Sequence, residues 1–138
     1  MLTREQARTA PVTTGRHEFL AGDGTTAGFD VDTLATALAQ QGASTTRRFR
    51  IPTQGSRKVV VTVKPTITGA PTARIISPLA DGTTENTAKA ATALTLTNNT
   101  ITEASRTLDG EDYVIVEFIT AAAQTITLVN AEYRCEPA

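Results

Sequence analysis

From residue 45 to the C-terminus, apolar and polar side chains alternate with a period of two, the pattern of strands that bury one face. Thr45, Arg47, Phe49 and Ile51 share one phase, Thr46, Arg48 and Arg50 the other, and Pro52 closes the segment. Residues 57–64 predict a second strand, with Val59, Val61 and Val63 on one face and Pro65 as its stop. Residues 72–77, bounded by Pro71 and Pro78, predict a third, and the polar run 81–86 reads as loop. Segments 93–97 and 100–104 flank Asn98-Asn99, a pair suited to a two-residue hairpin turn, and a helix over 88–94 is the alternative there. After the Asp109-Gly110 turn, residues 113–119 are apolar on both faces except at Glu117, which predicts a central strand. Residues 124–129 alternate again, and 131–135 either extend that strand or form a last edge strand.

The first part of the chain reads differently. Residues 1–15 mix Arg, Thr, Gln, Pro and Gly with scarcely any apolar repeat, which predicts an extended polar arm. A short strand over 16–20 and a Gly/Asp loop follow. Val31, Leu34, Ala35, Leu38 and Ala39 then recur at helical spacing, with Asp30 or Asp32 as N-cap and Gly42 at the C-terminal cap. About eight short strands separated by Pro, Gly, Asn and Asp predict a mainly β fold, an antiparallel β-sandwich of jelly-roll-like kind with one short helix near the N-terminus. A parallel α/β sheet would need a helix between successive strands. The expected division is an arm over 1–15 and one sandwich domain over 16–138.

The length of 138 residues suits one core, and the net charge of -1 leaves no field to attract a phosphate backbone, so nucleic acid is not an expected partner. No stretch approaches the roughly 20 apolar residues that span a bilayer, and the start lacks the apolar core of a secretory signal, so a soluble protein made in the cytoplasm is expected. The chemical inventory is thin: one His, one Cys and no Trp. His17 is the one candidate base near neutral pH, with no nucleophile-elbow spacing beside it. Cys135 has no partner for an internal disulfide, and it reads as inert. Asp23, Asp30 and Asp32 gather oxygen ligands without the order of the twelve-residue calcium loop, and turn formation and helix capping account for them. No catalytic residue, metal or cofactor is expected. Arg47, Arg48 and Arg50, with Arg57 and Lys58, form the basic concentration of the chain; Arg48 and Arg50 share the solvent side, which reads as a solvated strand that resists aggregation or, alternatively, as a surface for an acidic protein partner.

A polar arm, a body rich in Thr, Ala and Val, an early helix and this empty inventory resemble the small cementing, or decoration, proteins on the heads of tailed bacteriophages. The resemblance is one of size, composition and strand layout. It implies a virion protein that binds the outer capsid surface, bridges neighbouring major capsid subunits and catalyses nothing. Leu2, Arg4, Arg8 and Val12 would anchor its arm, with Arg48 and Arg50 at the same interface. Self-association is expected as well, a dimer before a trimer, through a bare β-edge at Ala131, Tyr133 and Cys135. The alternative is a glycan- or receptor-binding sandwich of a viral tail or fibre, although two Tyr and no Trp supply few aromatic platforms.

Overall fold

A computed structural model of the chain describes residues 17–18, 38–41, 45–81 and 84–137. These form two antiparallel sheets packed face to face, the β-sandwich expected from the alternation. The strands are β1 (His17–Glu18), β2 (Leu38–Gln41), β3 (Thr45–Pro52), β4 (Ser56–Thr68), β5 (Thr72–Ile76), β6 (Thr92–Leu94), β7 (Thr102–Thr107), β8 (Tyr113–Thr120) and β9 (Thr125–Pro137). One sheet runs β1-β9-β4-β7, with β2 also paired to β9, and the other runs β3-β8-β5-β6.

Side chains of one phase from each strand fill the space between the sheets. Phe49 and Ile51 of β3, Val59, Val61 and Val63 of β4, Ile75 of β5, and Val114, Val116 and Phe118 of β8 are all buried there. From β9 come Ile126, Leu128, Ala131, Tyr133 and Cys135. β8 is internal, hydrogen-bonded to β3 on one side and β5 on the other, as its two apolar faces predicted.

Three sequence expectations are corrected. Residues 31–37 of the expected helix lie outside the described residues, and Leu38 and Ala39, which closed its pattern, stand in a strand paired to β9. Pro65 does not end β4: the strand continues to Thr68 through a register shift between Val63 and Pro65, a bulge where a missing N–H is tolerated. The edge expected at Ala131, Tyr133 and Cys135 lies in β9, which pairs with β4 on one side and, on the other, with β2 over 125–128 and with β1 at Glu132 and Tyr133. These three side chains point into the core.

Asn98-Asn99 makes a turn, closed by Thr100 N–H donating to Thr97 O, with Asn99 at φ +56°. It joins no hairpin: β6 belongs to one sheet and β7 to the other. Instead the turn seats on the bulge of β4. Asn99 N–H donates to Pro65 O at 2.8 Å, and Asn98 Oδ1 accepts from Ile67 N–H at 2.9 Å. β7 pairs with β4 only as far as Val63, so the turn satisfies backbone groups left beyond the end of that ladder.

Candidate functional site

The outer face of the β3-β8-β5-β6 sheet is where the second phase of each strand emerges. Register sets Arg48, Glu117 and Arg74 in one row across β3, β8 and β5, and Arg50, Ile115 and Ile76 in the next. Ile76 and Ile115 are buried although they point away from the sandwich core. Residues 77–81 and 84–90 form a strap tied to this face. Its ties are a bridge between Pro78 and Glu85 and a two-pronged pair from Arg74 to the Glu85 carboxylate, at 2.9 and 3.3 Å.

Glu117 is the hub of the first row. Arg74 Nε donates to its Oε1 at 2.8 Å, and Arg48 Nε lies 3.0 Å from its Oε2 with the N–H out of line. The hydrogen bond to Glu117 outweighs burial and holds the Arg74 guanidinium more firmly protonated than in water.

Where the strap approaches the 108–112 turn, the two walls enclose a cleft of about 320 Å³, lined by Arg50, Leu79, Asp81, Glu111, Asp112 and Tyr113 among others. Tyr113 stands 40% exposed at its mouth, and the Arg50 guanidinium lies 4.7 Å from the centre of its ring. Tyr113 faces Pro52 in the ladder and Arg50 faces Ile115, so the two side chains are diagonal neighbours on one face.

Glu111 forms the floor. Ser77 Oγ donates to its Oε2 at 2.8 Å, while the Asp109 N–H at 2.6 Å and Lys89 Nζ at 3.1 Å donate to Oε1. Burial by itself would raise its pKa, but these donors, Ser77 foremost, outweigh burial and hold it below the ordinary carboxylate value. A folded-state pKa below the unfolded one adds stability that is present above about pH 4.3 and is lost as pH falls through the lower, folded value. Glu111→Gln is therefore expected to cost about 1–2 kcal/mol at pH 7 and far less near pH 3. Urea unfolding at both values checks this, and an equal deficit at both refutes it.

Of the sequence-derived candidates, the structure brings Arg50 into the cleft and ties Arg48 to Glu117. Arg57 and Lys58, on the other sheet, pair with Glu136. His17 lies in register with Tyr133 in β1. Leu2, Arg4, Arg8, Val12, Asp23, Asp30 and Asp32 lie outside the described residues. Burial pushes the Cys135 thiol up, and its Sγ donates to Pro52 O at 3.7 Å, so it stays a thiol at neutral pH. Among the described residues no cluster of three His, Cys, Asp or Glu side chains could hold a metal ion, and no helix is long and apolar enough to cross a membrane.

Sequence reasoning missed Tyr113, Ser77, Glu111 and Arg106. The signal for Arg106 was present: with Thr102 and Ala104 it falls in the phase of β7 that faces Val63, Val61 and Val59. The partners that satisfy it come from distant segments.

No protein-family model matches the chain, and no curated protein matches it. Among solved structures, the CBM22-1 xylan-binding domain from Paenibacillus barcinonensis Xyn10C is similar at 12% identity, with a TM-score of 0.38 over 94% of this chain and 98% of that one.

Proposed function

We propose that the chain is a non-catalytic β-sandwich binding module that seats a neutral saccharide on Tyr113, between the strap and the 108–112 turn. The observation that carries this reading is the exposed Tyr113 ring, braced by Arg50 at the mouth of a cleft whose walls include Asp81 and Asp112. A sugar offers a C–H face that packs on an aromatic ring and hydroxyls that donate to carboxylates and accept from a guanidinium. Charges of both signs at the rim favour a neutral polyol: Asp81 and Asp112 disfavour an acidic ligand, and Arg50 disfavours a cationic one.

The donors around Glu111 favour its ionised form, which suits an acceptor of sugar hydroxyls better than a general acid. The strand orders, with β2 and β1 both beside β9 in β9-β4-β7 and β3-β8-β5-β6 in the other sheet, support a jelly-roll reading of the sandwich, an arrangement that serves lectin and viral capsid domains alike. The cementing role, with a major capsid protein as partner and a place on the virion, draws no support from the described residues. Its arm lies outside them, and Arg48 is committed to Glu117.

The test is titration calorimetry against neutral hexasaccharides of glucose, xylose and mannose, with a glycan array to widen the search. Tyr113→Ala is expected to weaken the best ligand at least roughly tenfold and to shift Tm by only a few degrees, because the ring is half exposed. Failure of the native chain to bind any neutral saccharide at millimolar concentration defeats the reading.

A further inference from the structure

Arg106 belongs to β7, in the sheet opposite the cleft, yet the residue is only 7% exposed and its guanidinium reaches across the seam between the sheets. Its Nη1 donates to Ala90 O at 2.8 Å and to Thr92 Oγ1 at 2.9 Å, while Nε and Nη2 meet Ser77 Oγ at 3.2 and 2.9 Å. Ser77 and Ala90 are the first and last residues of the strap. Ser77 Oγ, while accepting from Arg106, donates to Glu111 in the opposite wall. The guanidinium therefore grips both ends of one wall and, through a single hydroxyl, the other wall.

Burying an arginine is costly, and well-packed apolar replacements of buried charges are often tolerated. All the acceptors of Arg106 are neutral oxygens. Such a group contributes less to overall stability than to the choice of one geometry for the segments it joins. We infer that Arg106 is a positioning residue for the Tyr113 cleft, fixing the strap and the 108–112 turn from the far sheet. This rests on the saccharide-binding reading for its purpose, though not for its geometry.

The experiment is amide hydrogen exchange on the full chain and on Arg106→Met, Arg106→Lys and Ser77→Ala. Peptides spanning 78–90 and 108–112 report the walls, and those spanning 59–63 and 114–118 report the core. Arg106→Met is expected to speed wall exchange roughly tenfold or more with the core unchanged. Arg106→Lys, which keeps the charge and loses the fork, falls between. Ser77→Ala is expected to loosen the 108–112 turn while Ala90 stays gripped, a result that stands if Arg106→Met does not fold. Unchanged wall exchange, or exchange that quickens equally in walls and core, overturns the inference. Affinity for the best hexasaccharide should fall in step with wall protection. If the native chain binds no saccharide, the ligand reading fails, and the exchange data still decide the role of Arg106.

Discussion

Phe118→Ala is expected to lower the unfolding free energy by about 4 kcal/mol, within the range for fully buried aromatics cut back to a methyl. Phe118 has no exposed surface, and its ring meets Phe49 edge-on, with centroids 6.0 Å apart and planes at 73°. Strands on both sides of β8 restrain collapse around the hole, since β3 and β5 are each locked in register. The loss combines transfer of the ring, the void left behind and the aromatic contact. Domains of this size are stable by only about 5–15 kcal/mol, so the variant should sit close to the threshold of folding. Denaturant unfolding should show a lower midpoint at an unchanged slope, and Tm should drop by roughly 10–15 °C. A deficit below about 1.5 kcal/mol would mean that the core rearranges freely.

Glu117→Ala is expected to cost about 2–3 kcal/mol. Breaking a buried ion pair costs 3–5 kcal/mol where the survivor is trapped. Here the side chain of Glu117 is 8% exposed, while those of Arg48 and Arg74 are 23% and 36% exposed. Both guanidinium groups can rehydrate in part, and Arg74 keeps Glu85. A double-mutant cycle with Arg74→Ala should give a coupling energy of about 1–2 kcal/mol, and a coupling near zero would place the cost in packing instead.

The strands were legible because each buries one face, and the period of two survives wherever that holds. Residues 113–119 were readable even as a central strand, since Val114, Val116 and Phe118 serve the core while Ile115 is buried on the opposite face. Pro65 misled because a proline stops a ladder but is allowed at a bulge, and a bulge has no local signature. Asn98-Asn99 gave a correct turn and a wrong hairpin, because turn chemistry is local and the destination of each strand is not. The cleft was harder still. Its parts come from residues 50, 78–81 and 110–113, and what makes Tyr113 a platform is a strap whose path no periodicity records. Arg50 was singled out for its exposure and charge, whereas its neighbour in space, Tyr113, lies sixty-three positions away along the chain.

The Asn98-Asn99 turn has a bearing on how copies of this protein behave toward one another. Past Val63, β4 would present open donors and acceptors to any extended peptide, a template for runaway pairing between molecules. By occupying Pro65 O and Ile67 N–H, the two asparagines plug that slot from within the same molecule. A second molecule pairing along residues 65–67 on that side would first have to displace both of these bonds.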